Sequence, residues 1–149
     1  MYANIPIKET KHILNSILTH NLVDQQTSTE LLNWYEIITQ QNYFTNDGEV
    51  YIQEDGLAMG APSSSIISEI FLQNIEQSHL PAIAKNHGLT NYFRFVDDIL
   101  IVYDTKHTNI TSILEDFNSL HPNWHFTKEI EKDNKINYLD ITIHRHQKI

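Results

Sequence analysis

Two adjacent carboxylates, Asp97 and Asp98, stand between two strand-like apolar runs, residues 92–96 and 99–103. Like charges so close repel one another unless a cation or solvent compensates. Mg²⁺ is the natural cation, with Mn²⁺ as a substitute, because such hard ions take oxygen ligands and commonly use one or two carboxylates plus substrate phosphates. Successive strand residues face opposite ways, so a tight turn at Asp97-Asp98 is needed to aim both at one ion pair. Asp is also a common turn residue, and a bare Asp-Asp at a hairpin tip is usually only a solvated turn. The context argues for more. Some forty residues upstream lies Gly56-Leu57-Ala58-Met59-Gly60-Ala61-Pro62-Ser63-Ser64-Ser65, followed directly by an apolar helix. Glycines there allow a base pair or sugar to approach the backbone, and the serines can cap the helix and hydrogen-bond a strand.

The elements that must position these residues follow from periodicity and turn chemistry. Ile13, Leu14, Ile17 and Leu18 fall at helical spacing after Pro6, and Asn21 and Asp24 mark the exit. Residues 27–30 offer caps for a second helix carrying Leu31, Leu32, Trp34, Tyr35, Ile37 and Ile38. Asp47-Gly48 between β-prone runs predicts a hairpin over residues 43–52. A helix follows residues 63–65 toward Asn86, with a kink or break expected at Pro81. Residues 110–120 read as another helix. A last hairpin is expected from 125–131 and 136–144, turning at 133–135. The order implies an α+β fold: an antiparallel sheet with helices packed on one face and the Asp97-Asp98 hairpin at its centre, covered on both sides or set in a deep core.

Composition bounds the rest. The chain has 149 residues, 40% hydrophobic and 19% charged, which suits one domain with a packed core. No cysteine is present, so disulfides, thiolate zinc sites and thiol nucleophiles are excluded. No apolar run is long enough for a membrane span and no signal-peptide pattern opens the chain, so no membrane partner and an intracellular location are expected. The nine histidines, among them His121, His125, His144 and His146, form no compact zinc motif. Trp34, Tyr35 and Trp124 are assigned to core packing rather than base stacking, and the scattered acids downstream to a solvated face. No nucleophile triad, lysine-bearing phosphate loop or His-Glu-x-x-His helix occurs. The formal charge of −9 argues against a free-standing nucleic-acid binder.

The motifs together resemble the palm of a reverse transcriptase, most closely that of Penelope-like retroelement polymerases. Tyr2-Ala3-Asn4-Ile5-Pro6 resembles the end of the first catalytic motif, and Gly56 to Ser65 the template-and-primer-positioning motif. Phe95-Val96-Asp97-Asp98 resembles the aromatic-x-Asp-Asp motif; His121-Pro122-Asn123, Phe126-Thr127-Lys128-Glu129 and Tyr138-Leu139-Asp140 resemble the stretch that follows it. The resemblance implies RNA-directed addition of deoxynucleotides to a primer 3′ end, with an RNA or DNA template, a primer and deoxynucleoside triphosphates as partners. It implies that Asp97 binds both metal ions with support from Asp98, and that Tyr2 screens the sugar 2′ position. By the same resemblance Gly60 and Ser64 seat the template–primer, and Lys132, with Lys128 and Lys135 as rivals, assists pyrophosphate departure. Two departures stand out: the family's first catalytic Asp falls about four positions before Met1, and Ser65 replaces the usual Pro. The 149 residues are thus expected to be a partial domain that begins inside the first motif and lacks most of the fingers and the thumb. A catalytically inactive palm remnant or binding module, and an unrelated metal-binding α+β domain, are the competing readings.

Overall fold

The structure, a computed structural model, describes residues 1–146. The chain divides into two compact units, Met1–Ser78 and His79–Ile149.

The first unit opens with a 3₁₀ turn, Tyr2–Asn4, and then Pro6, extended at φ −75°, leads into α1 (Ile7–His20). The second helix, α2 (Gln25–Gln40), starts earlier than residues 27–30 suggested, because the Asp24 side chain accepts the Thr27 amide and is the cap. The two helices pack against each other, burying Thr10, Ile13 and Leu18 on one and Ser28, Tyr35 and Thr39 on the other. Buried hydroxyls are costly unless satisfied. Thr10 donates to the Pro6 carbonyl, Thr39 to that of Tyr35, and the Tyr35 hydroxyl to that of Ile7, the last tying α2 to the start of α1. Trp34, by contrast, is 60% exposed, which corrects its assignment to the core. It precedes Tyr35 by one position, about 100° around the helix, so only one of the two rings can face α1.

Burial pushes the Tyr35 phenol from 10.0 up to about 12, only partly offset by Thr10 nearby. The folded state therefore holds the proton more tightly than the unfolded chain. Its stabilising effect is complete below pH 10 and is lost as pH rises toward 12. Urea titrations at pH 9 and pH 11 should show a larger fall in midpoint for wild type than for Tyr35→Phe. Parallel falls in both proteins would remove Tyr35 as the cause.

After α2, β1 (Tyr43–Asn46) and β2 (Glu49–Ile52) form the expected hairpin, with Asp47 at φ 50° and Gly48 at φ 83°. Both central residues at positive φ define a type I′ turn, whose twist matches that of the strands. The helix α3 (Ser64–His87) runs from the first unit into the second; in the first it buries Ile67, Phe71, Leu72 and Ile75. No break occurs at Pro81, which lies inside the helix.

In the second unit, β3 (Leu89–Phe95) and β4 (Asp98–Tyr103) pair antiparallel, and α4 (Ile110–Ser119) follows. Ile83 of α3 with Ile113 and Phe117 of α4 forms a buried cluster against which Tyr92, Ile99, Ile101 and Tyr103 pack. The opposite face is open. Phe93, Phe95 and Val102 are exposed, so the hairpin is covered on one side rather than on both. His87 is the buried histidine among the described residues; its Nδ1 lies 2.8 Å from the Thr108 hydroxyl and its Nε2 2.8 Å from an Asp116 carboxylate oxygen. Both ring nitrogens are thereby satisfied, fastening the end of α3 to α4.

The last hairpin is β5 (Lys135–Tyr138) and β6 (Ile141–His144), turning at Leu139-Asp140. This corrects the expected turn at 133–135 and the strand at 125–131. Asp133 and Asn134, both at positive φ, do form a tight turn, but it closes only a single bridge between Lys132 and Lys135. Phe126 has no strand partner because Asn118 takes its place: the Asn118 side chain accepts the Phe126 amide and donates to its carbonyl. Three separate two-stranded sheets result, in place of one continuous antiparallel sheet. The α+β class stands. Each hairpin is closed by its own two-residue turn, and no strand among the described residues bridges one pair to the next.

Candidate active site

The carboxylate turn differs by one residue from the expectation. Phe95 pairs with Asp98, so the two central residues are Val96 and Asp97, and Asp98 opens β4. Val96 sits at φ 56°. A positive φ at the first central position alone is the pattern of a type II′ turn, where glycine is normal. A β-branched residue there is a genuine outlier that costs about 1–3 kcal/mol and persists only where its surroundings hold it. Strain of this kind clusters at sites where geometry matters more than stability. Arg94 supplies part of the restraint, donating from its guanidinium to the Val96 carbonyl at 3.2 Å. On the other side, the Tyr138 hydroxyl donates to the Asp98 carbonyl at 3.3 Å.

Asp97 and Asp98 are both exposed. Adjacent hard oxygen donors in water suit a divalent cation. Among the described residues, however, no group of three or more His, Asp or Glu side chains could hold a metal ion. The turn offers one pair of carboxylates and no more. Lys132 is also exposed and lies in the second unit, across the tight turn from Lys135.

The remaining candidates belong to the first unit. The Leu57 amide donates to the Tyr2 carbonyl at 2.9 Å, so the glycine-marked loop is docked on the 3₁₀ turn that carries Tyr2. That docking depends on Gly56. A Cβ built there would lie 2.3 Å from the Ala3 carbonyl oxygen, and φ is +77°. Gly60 is different: φ is +89°, but nothing lies within 4 Å of where its Cβ would be. It leaves an open approach to backbone, as close contact with a nucleic-acid strand requires. Ser64 is buried and its hydroxyl donates to the Ala58 carbonyl at 2.6 Å, which closes the loop onto the start of α3. Its hydroxyl proton is thus committed within the protein. Sequence reasoning paired Gly60 with Ser64 but missed Gly56 as the residue that joins the loop to Tyr2, and Tyr138 as a neighbour of the carboxylate turn. Gly56 could have been flagged as a positive-φ candidate, whereas the Tyr138 contact leaves no local signature.

Charge is unevenly spread. The first unit carries two Lys against ten Asp and Glu, whereas the second carries eight Lys and Arg against nine acids. The unit holding Asp97 and Asp98 is therefore near neutrality, and most of the repulsion toward a polyanion originates in the other.

No curated protein and no solved structure matches the chain. The family model for reverse transcriptase (RNA-dependent DNA polymerase) matches residues 1–141. That span takes in the 3₁₀ turn, the glycine-marked loop, the carboxylate turn and the β5–β6 turn, and the chain belongs to the reverse transcriptase family.

Proposed function

We propose that this chain is the palm part of an RNA-directed DNA polymerase of a retroelement, of the Penelope-like type, that adds deoxynucleotides to a primer 3′ end. The observation that carries the reading is a strained, braced turn presenting two exposed carboxylates, within a chain whose family match spans residues 1–141. Asp97 and Asp98 would hold Mg²⁺, or Mn²⁺ in its place. Bound there as a pair about 3.5–4 Å apart, such ions stabilise the attacking and leaving oxygens of an in-line displacement at the α-phosphate. Asp97, central in the turn, is the principal ligand and Asp98 the support. The ring of Tyr2 screens the sugar 2′ position and so selects deoxynucleotides. Gly60 admits the template–primer close to the backbone, while Ser64 acts through the loop shape that its bond to Ala58 maintains. Lys132 supplies positive charge to the departing pyrophosphate. A third carboxylate for the ion pair would come from outside these residues, which makes the chain a partial polymerase domain. The absence of a third ligand among the described residues also favours a second reading, a palm that binds without turnover.

Titration with Mn²⁺, followed by the loss of its free electron-spin-resonance signal, tests the site. Asp97→Asn should weaken binding about tenfold or more, equivalent to about 1.4 kcal/mol, and Asp98→Asn should weaken it less. The same affinity in wild type and both variants would make the turn only a turn.

A further inference from the structure

The turn bearing Asp97 sits at the tip of a hairpin whose outer face is open, and its conformation is not one that Val96 prefers. Such a turn needs outside restraint, and the carbonyls of the residues on either side of Asp97 are each held by a long side chain. Arg94, on the same hairpin, holds that of Val96. Tyr138 holds that of Asp98 from forty residues downstream, on β5. Tyr138 is the last residue of β5, paired with Ile141 across the two-residue turn. That turn is short, with Leu139 at φ 53°, and the neighbouring rung of the hairpin is cross-linked by the Thr142 hydroxyl, which donates to the Asn137 side-chain oxygen at 2.9 Å. The hydroxyl is therefore presented by a constrained element rather than by a free loop.

We propose that Tyr138 is a positioning residue for the carboxylate turn: by holding the Asp98 carbonyl, its hydroxyl keeps Asp97 and Asp98 in the orientation that receives a divalent cation. The inference rests on the metal-binding reading of that turn. Its physical basis is preorganisation. A cation gains most from oxygens already in place, and every degree of freedom frozen on binding is subtracted from affinity.

Tyr138→Phe removes one oxygen and keeps the ring, so it isolates the hydrogen bond. Hydrogen–deuterium exchange over residues 95–99 should rise about 3- to 10-fold, the factor a single hydrogen bond supports, with residues 43–52 unchanged. Mn²⁺ affinity should fall by a similar factor, while the thermal midpoint stays near that of wild type. Unchanged exchange at the turn overturns the proposal. So does raised exchange with unaltered Mn²⁺ affinity, or a midpoint far below wild type, which would make Tyr138 a general structural support. Identical Mn²⁺ binding by wild type and Asp97→Asn would instead overturn the metal reading, and with it the purpose of the contact. The exchange comparison would still decide whether Tyr138 restrains the turn.

Discussion

Primer extension by the 149-residue chain, with Mg²⁺, deoxynucleoside triphosphates and a primed RNA template, is expected to be unmeasurable. Two arguments converge. A two-ion site works by holding both ions against the attacking and leaving oxygens, and the described residues supply Asp97 and Asp98 without a third carboxylate beside them. An incomplete clamp forfeits several kcal/mol of transition-state stabilisation, and each ~1.4 kcal/mol is a factor of about ten in rate. The second argument is charge. Affinity for a nucleic-acid backbone comes largely from Lys and Arg that displace its counterions, and this chain has a net charge of −9. On the proposed reading, supplying a third carboxylate to Asp97 and Asp98 should tighten metal binding first, and adding basic surface should then strengthen template binding. Assaying the chain with and without these additions decides the matter. Robust synthesis by the 149 residues alone would show that the ion clamp is already complete within them.

The largest loss of stability from a single methyl group is expected at Gly56. Its φ of +77° already disfavours any side chain, by about 1–2 kcal/mol. The new Cβ would also lie 2.3 Å from the oxygen, 2.6 Å from the carbonyl carbon and 2.7 Å from the Cα of Ala3. All three are backbone atoms, so no rotamer change relieves the contact. Either the Tyr2–Asn4 turn moves away, breaking the Leu57-to-Tyr2 hydrogen bond, or the loop backs off and loses the burial of Leu57. Gly56→Ala should therefore cost about 3 kcal/mol or more. Gly60→Ala provides the control, since φ is just as unfavourable but the surrounding space is open; only the conformational cost of about 1–2 kcal/mol should remain. Urea midpoints of the two variants measure the difference. Equal midpoints would mean that the loop is not seated on the Tyr2 turn as described.

What could be read along the chain was whatever neighbours in sequence decide. The Asp47-Gly48 turn appeared where expected because a type I′ turn needs two residues tolerant of positive φ, and that requirement is met locally. The helices appeared because apolar residues at helical spacing define a buried stripe wherever the partner lies. The family resemblance was legible for the same reason: Gly56 to Ser65 and Phe95 to Asp98 are contiguous strings. Helix starts were less legible, since Asp24 and the residues at 27–30 are all competent caps, and in the folded chain it is Asp24 that accepts the Thr27 amide.

The tertiary structure decided what depends on partners far away in the chain. A one-residue slip in a hairpin turns every side chain to the other face. Val96-Asp97 became the turn because that register places Ile99, Ile101 and Tyr103 on Ile113 and Phe117, even though it forces a valine into a glycine-like conformation. Phe126 left the expected strand because Asn118, eight residues away, satisfies its backbone. Gly56 is required by Ala3, and the Asp98 carbonyl is held by Tyr138, across separations that leave no trace in local pattern. Residue types and short spacings determined which chemistry these side chains could perform. The contacts between distant residues determined which way the carboxylates face, because orientation is set by packing and hydrogen bonds that form only when the chain has closed on itself.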